Sequence, residues 1–225
     1  MKNVALIPAY NEEDNILKVI QKIKELKKFD KIIVVDDGSK DKTVELVKKS
    51  NVILLRHEVN KGKGEAIKTG FRYIKKIKDV KNIIIIDADL QYEPKESLKI
   101  LEKLENADFV IGYRNFSKIP LRHRLGNFFW RVTFNLFFGS NFKDTNCGLI
   151  GLSKNVIDKV KIGGGYIIEN YMLASVIKNK ISFDQVPVSV AYDEKSKVRR
   201  GTRVFLGVFL FIIEIGIKYR TKNEI

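Results

Sequence analysis

Four consecutive isoleucines, Ile83 to Ile86, run directly into Asp87. A strand that is apolar on both faces has no solvent side, so it belongs in the middle of a parallel sheet covered above and below. The rest of the first half reads the same way. Residues 4–7, 31–35, 52–55, 82–87 and 109–112 are short runs rich in β-branched side chains. Between them, residues 12–28, 41–50, 64–78 and 95–104 carry apolar side chains three and four apart, as in Ile16, Val19, Ile20 and Ile23. This alternation predicts an α/β domain with a mostly parallel sheet flanked by helices. In open sheets of that kind ligands bind beyond the carboxyl ends of the strands. The loops 8–13, 36–43, 60–64 and 87–91 are therefore expected to converge on one site.

Composition narrows the partners. With 44% hydrophobic residues over 225 positions the chain buries a real core, which excludes a disordered or fibrous protein. Lys and Arg number 42 against 27 Asp and Glu, and the formal charge of +15 draws phosphate, whether in nucleic acid, an anionic bilayer or a phosphorylated substrate. The lysines are spread over every expected helix rather than gathered on one face, which speaks against a nucleic-acid-binding module. The single Cys147 excludes an internal disulfide and fits a reducing compartment, and two histidines give no Cys/His zinc cluster. The first apolar stretch stops at Pro8, too short for a signal peptide. The longest, 204–217, contains Glu214 and falls short of a spanning helix, so it is expected to lie on a membrane rather than cross it.

Two loops carry acidic motifs. Asp87-Ala88-Asp89 follows the isoleucine strand, and side chains two apart in an extended chain point the same way. Both aspartates can then face one pocket and hold a hard divalent cation that also ligates a diphosphate; the alternative is a solvated loop start. In Asp36-Asp37-Gly38-Ser39-x-Asp41-x-Thr43, Gly38 permits a tight turn and Ser39 or Asp41 caps the next helix. Capping leaves two adjacent carboxylates unexplained, one of them available to a nucleobase edge.

These residues carry a resemblance. Ile7-Pro8-Ala9-Tyr10-Asn11-Glu12-Glu13, Val34-Val35-Asp36-Asp37-Gly38-Ser39, Asn60-Lys61-Gly62-Lys63-Gly64, Asp87-Ala88-Asp89-Leu90-Gln91 and Gly112-Tyr113-Arg114 stand in the order and spacing of glycosyltransferase family 2. With Pro94, Arg124-Leu125-Gly126-Asn127 and Asp144-Thr145, the chain most resembles the dolichol-phosphate mannose synthase and polyprenyl-phosphate glycosyltransferase group, over roughly residues 3 to 200. The resemblance implies a GT-A fold over residues 1–200, with a nucleotide-sugar half at 1–115 and an acceptor half at 116–200, followed by an apolar and basic interfacial helix at 201–225. It also implies that Pro8, Tyr10, Glu12, Val35 and Asp37 line the nucleoside pocket, that Asp87 and Ala88 contact the donor, and that Asp89 and Gln91 ligate Mg2+ or Mn2+. Arg114 would reach the phosphates. The 60–64 run resembles a phosphate cradle without the Walker spacing, which leaves Lys63 as a donor-side residue.

No histidine is placed as a general base, and a lipid phosphate needs none: with a second pKa near ~6 it is already an anionic nucleophile. Cations are what such an acceptor requires. Arg114, Arg124, Arg131 and Ser196 are the expected acceptor-phosphate residues, with Asp89, Arg114 and Arg124 expected to carry catalysis. His57 and His123 read as surface residues or phosphate neighbours, and Cys147 as a small packed residue. Two departures from the group fall on what reads as the acceptor side: Ile150 stands where an arginine is usual, and Glu169, beside Asn170 and Tyr171, is what remains of a more acidic run.

At about 100° per residue, Leu125, Phe128, Phe129, Val132 and Leu136 form one stripe and Trp130, Phe134, Phe137 and Phe138 another. One stripe can face the core, and the other needs a bilayer interface or a second lobe. Residues 204–213 repeat the theme between Arg199, Arg200 and Arg203 before and Lys218 and Arg220 after, with a homo-oligomer contact as the rival reading. The expectation is an inverting transferase, peripheral on the cytoplasmic face, that moves a hexose from GDP-mannose, or from UDP-glucose or UDP-N-acetylglucosamine as runner-up, to dolichyl or polyprenyl phosphate. A sugar-1-phosphate nucleotidyltransferase, the other enzymatic rival, would carry a long Gly-rich N-terminal loop that Pro8-Ala9-Tyr10-Asn11 is not.

Overall fold

A computed structural model describes residues 2–115, 121–191 and 202–222, without the side chains of residues 121–124, 166, 202–205 and 222. Among the described residues seven strands form one sheet in the order β3-β2-β1-β4-β6-β5-β7. The first four strands, β1 (Lys2–Ala9), β2 (Lys31–Asp36), β3 (Ile53–Arg56) and β4 (Val80–Ile85), are mutually parallel. β5 (Phe109–Arg114) and β7 (Phe183–Val188) are parallel to each other, and β6 (Ile150–Ser153) runs antiparallel between β4 and β5. The isoleucine run sits where its composition demands: Ile83, Ile84, Ile85 and Ile86 are all buried.

The helices form as the spacing requires. α1 (Ile16–Glu25) turns Ile16, Val19, Ile20 and Ile23 inward and its lysines outward. α2 (Thr43–Lys49), α3 (Lys63–Lys75) and α4 (Ser97–Lys103) complete the first half, a 3-10 turn at Pro94–Glu96 leading into α4. Two strands come from beyond residue 115, so the second half completes the sheet as well as covering it. α5 (Leu121–Phe138) and α7 (Thr202–Lys222) pack on each other, Tyr219 against Phe138 with ring centroids 5.0 Å apart, and α6 (Ile168–Lys178) joins them through Tyr171 on Phe211.

The stripe of α5 that faces inward is Trp130, Phe134 and Phe138, all buried. Leu125, Phe128, Phe129, Val132 and Leu136 face out, Leu136 at 70% exposure, and α7 adds the exposed Leu206, Leu210 and Ile217. Among the described residues no helix is long and apolar enough to cross a membrane.

One topological detail places the site. The chain proceeds from β1 outward through β2 to β3, then returns to the other side of β1 to lay down β4. The loops after β1 and β4 therefore leave in opposite directions and open a crevice at the carboxyl ends of the two strands.

Candidate active site

That crevice is a cleft of about 440 Å³, and each of the four expected loops contributes to it. Pro8, Tyr10 and Glu12 come from the end of β1, Asp37 from β2, Asn60, Gly62 and Lys63 from the turn before α3, and Asp87, Ala88, Asp89 and Gln91 from the loop after β4. Val35 is not among them; its side chain is fully buried in the sheet.

Side chains stitch the first two loops together. Ser39 Oγ accepts from the Asn11 amide at 2.9 Å, Thr43 Oγ1 from Glu12 at 2.8 Å, and Asp41 from both Glu13 and Thr43. The adjacent aspartates divide their work. Asp36 is fully buried, accepts from the Ser39 amide and lies 3.5 Å from Arg56 Nε, which closes the turn. Asp37 faces the cleft. Gly38 follows them at φ +77°, and a Cβ there would strike the Val59 backbone at 2.7 Å, so only glycine serves.

β4 ends at Ile85, so Asp87-Ala88-Asp89 forms a turn rather than the extended chain its spacing suggested. The two aspartates still reach one cleft, by a different route. Leu90 adopts a left-handed φ of 58°, costly for a leucine by ~1–2 kcal/mol. That conformation turns the Gln91 amide back onto Asp89 Oδ1 at 3.0 Å. Backbone strain of this kind is retained where geometry matters to function.

The electrostatics are those of an acidic cleft with one resident cation. Lys63 Nζ lies 2.6 Å from Asp87 Oδ1 and 3.6 Å from Glu169 Oε1. Burial alone would lower its pKa, but Asp87 and Glu169 overcome that and hold it above the ordinary lysine range. Burial, then the neighbouring Asp87, raises Asp89, and burial with the charges of Asp89 and Asp87 raises Glu12. Glu169, read from the sequence as part of the acceptor side, does not line the cleft but lies beside its lysine. Gly148 presses against Asp87, and a Cβ there would collide with that carboxylate.

Among the described residues no group of three or more His, Cys, Asp or Glu side chains forms a closed metal cage. The donor set nonetheless fits Mg2+ or Mn2+: oxygen ligands from Asp89 and Gln91, in a cleft whose carboxylates repel one another, leave the remaining positions to diphosphate and water, as Mg2+ prefers.

Arg114 stands elsewhere. Its Nε and Nη2 bind Asp144 Oδ2 and Oδ1 at 2.6 and 3.0 Å, and it lines a second cavity of about 540 Å³ with Lys99, Tyr113, Arg131, Lys143 and Ser189. Burial works against the charged guanidinium, yet Asp144 keeps it well above its ordinary range. Arg131 lies over the Phe128 ring, 5.5 Å from its centroid, and Lys143 Nζ lies 4.6 Å from that of Tyr113. The two cavities share a wall: Ala191 donates to the Gln91 carbonyl at 2.9 Å, and Tyr92 bridges Val190. Arg124 lies in α5 with its side chain outside the described residues, and Ser196 lies outside them altogether.

Three further residues depart from the sequence reading or complete it. Ile150, in place of the usual arginine, is buried in β6 opposite Ile85 and Ile111. Cys147 is fully buried and its thiol is pushed up to about 12 by that burial, a packed residue and not a nucleophile. His57, expected at the surface or beside phosphate, is not at the surface but buried between Asp37 and Thr69; a lone histidine after a short strand gave no local signal of this.

Residues 4–160 match the family described as Glycosyl transferase family 2. An uncharacterized protein of Methanocaldococcus jannaschii is 35% identical, covering 94% of this chain and 97% of its own. The UDP-N-acetylglucosamine--dolichyl-phosphate N-acetylglucosaminyltransferase of Methanococcus voltae is 32% identical over 92% of each. The dolichol-phosphate mannosyltransferase of Pyrococcus furiosus is 36% identical, but over 51% of this chain and 33% of its own. Among solved structures, glucosyl-3-phosphoglycerate synthase from Mycobacterium tuberculosis, in complex with Mn2+, UDP and glucosyl-3-phosphoglycerate, superposes with a TM-score of 0.70 at 20% identity, covering 97% of this chain and 79% of that one. That likeness shows the fold, which is GT-A.

Proposed function

The chain belongs to glycosyl transferase family 2, and from that premise we propose that it transfers one sugar from a nucleoside diphosphate donor to the phosphate of a polyprenyl lipid, with UDP-N-acetylglucosamine as the first donor to offer. The observation that carries this reading is the pairing of an acidic cleft holding Lys63 with a basic cavity across the Gln91–Val190 wall. One suits a metal-bound diphosphate and the other an anionic acceptor. The donor preference moves from GDP-mannose to a UDP sugar because a relative matched over 92% of its length is named for UDP-N-acetylglucosamine, whereas one named for mannosyl transfer matches half of the chain.

The chain's residues divide the chemistry. Asp89 and Gln91 would hold Mg2+ or Mn2+, which when bound stabilises the negative charge that gathers on the leaving diphosphate. Lys63 supplies a fixed positive charge beside the same phosphates. Arg131, Lys143 and Arg114 orient the lipid phosphate, whose oxygen attacks the anomeric carbon as the bond to the diphosphate breaks, the electron pair leaving with the nucleotide and the configuration inverting. No residue has to take a proton, since the nucleophile arrives ionised. The test offers UDP-N-acetylglucosamine, UDP-glucose and GDP-mannose with Mn2+ and a short polyprenyl phosphate, and reads the lipid by mass. A lipid phosphate bearing N-acetylglucosamine is expected. No lipid product from any donor would reject the reading.

The exposed faces of α5 and α7 present this acceptor cavity to a membrane surface. Arg131 is flanked on α5 by Phe128 and Val132, an arrangement in which aromatic rings enter the interface while the guanidinium meets lipid phosphate. The protein is expected to bind anionic vesicles more tightly than zwitterionic ones, and Leu136→Asp to weaken that binding about tenfold or more, the scale of losing one buried leucine. Equal flotation of the variant would contradict the membrane assignment. A lipid-free dimer dissolved by the same substitution would favour the oligomer instead.

A further inference from the structure

Behind the donor cleft a chain of hydrogen bonds ends on Asp37. Arg72 Nη2 donates to Thr69 Oγ1 at 2.8 Å, Thr69 Oγ1 lies 2.8 Å from His57 Nε2, and His57 Nδ1 lies 2.7 Å from Asp37 Oδ1. The network closes when the imidazole carries a proton on Nδ1 and accepts the Thr69 hydroxyl hydrogen at Nε2, so every donor points toward the carboxylate; this tautomer is inferred from the partners. The Lys61 amide also donates to Oδ1, at 2.9 Å, and the Gly62 amide to Oδ2, at 2.7 Å. A carboxylate offers about four acceptor positions. Three are taken by these donors, and the fourth lies on Oδ2 of a residue that lines the cleft.

We propose that His57 is a positioning residue that sets which base the donor carries: by fixing Asp37 through Oδ1 it leaves a single acceptor, matched to the lone imide N–H of uracil. The pairing edge of guanine presents two adjacent N–H donors and calls for a carboxylate with both oxygens free, so a guanine bound here leaves one donor unpaired. This rests on the reading that the cleft takes the donor's nucleoside, and it goes further by assigning the base. Neither His57 nor Thr69 lines the cleft, so their influence passes through Asp37 and the turn at Lys61 and Gly62 that it holds.

The test is calorimetric titration of UDP, dTDP and GDP into the full chain with Mn2+ and no lipid. The wild type is expected to bind UDP and dTDP, which share the imide edge, alike, and GDP about 10- to 100-fold more weakly, the factor for one unpaired buried donor. In His57→Leu the carboxylate loses the bond that fixes its plane, UDP binding weakens about tenfold, and the UDP-to-GDP ratio falls by a similar factor. His57→Asn, whose amide can replace Nδ1–H, is expected to restore the ratio, and Thr69→Val to lower it by a smaller factor. Equal affinity of the wild type for UDP and GDP would overturn the proposal, and so would wild-type ratios in folded His57→Leu. Should His57→Leu fail to fold, an unchanged ratio in Thr69→Val overturns it. Because no acceptor is present, a protein that discriminates nucleotides as expected yet glycosylates no lipid would reject the transfer reading alone.

Discussion

Asp89→Ala is expected to lower the sugar-transfer rate at least about 10³-fold, equivalent to ~4 kcal/mol of transition-state stabilisation, while the protein stays folded. The size follows from the role assigned to Asp89: a ligand of the cation that offsets charge building up on the leaving diphosphate, with Gln91 as its neighbour on the same strained turn. The fold is expected to survive because Asp89 stands in a loop, and the bond its carboxylate accepts from the Gln91 amide is local, two residues on. A second readout separates this from general damage. Burial and Asp87 raise the Asp89 pKa, so over the window between its unfolded and folded values the native state binds more protons than the unfolded chain. Stability therefore falls as pH rises through that window, and above it the whole penalty is present. Without metal, Asp89→Asn should be at least as stable as the wild type at pH 7, and the difference should vanish in acid. Adding Mn2+ should raise the melting temperature of the wild type more than that of the variant. Retained turnover in Asp89→Ala would remove the metal-binding role from the reading.

How far the sequence announces this structure depends on how local each signal is. The parallel half of the sheet is written in runs of β-branched residues, and a strand such as Ile83 to Ile86 cannot be placed anywhere but the centre. β6 and β7 escape the same reading. Ile150–Ser153 has four residues, one of them glycine, and Phe183–Val188 carries Pro187, which an edge strand tolerates because one side of its backbone needs no partner. The two stripes of α5 are legible because helical periodicity is local, and the exposed stripe emerges as the spacing divides it. Within the cleft, Glu12, Asp37, Lys63 and Asp87 to Gln91 stand in loops whose convergence follows from strand order alone. Val35 does not line the cleft because it lies inside β2, where its side chain is fully buried before the chain turns toward the site at Asp37. The contacts of Glu169 and His57 are not legible for a different reason: each meets its partner from a distant element, and nothing in the neighbouring residues marks the encounter.

The ion pair between Arg114 and Asp144 bears the second large effect, on stability rather than rate. Asp144 is 1% exposed and accepts four hydrogen bonds, from Nε, Nη2 and the backbone amide of Arg114 and from the Asn146 amide. It ties the end of β5 to the loop that carries Cys147 and Gly148 against Asp87. Asp144→Ala leaves a guanidinium buried without its counter-charge, and breaking a buried pair from one side costs about 3–5 kcal/mol. At roughly 2–4 °C per kcal/mol for a domain of this length, the melting temperature should drop by about 6–20 °C. The double variant Arg114→Met with Asp144→Leu should regain most of that loss, because a well-packed apolar pair of similar volume is often no worse than the ion pair it replaces. Activity should not return with it. If Arg114 orients the lipid phosphate, the double variant is a stable protein with an impaired acceptor cavity, its KM for polyprenyl phosphate raised and its nucleotide affinity unchanged. A double variant that recovers transfer along with stability would show that the arginine serves the fold alone, and the acceptor phosphate would then rest on Arg131 and Lys143.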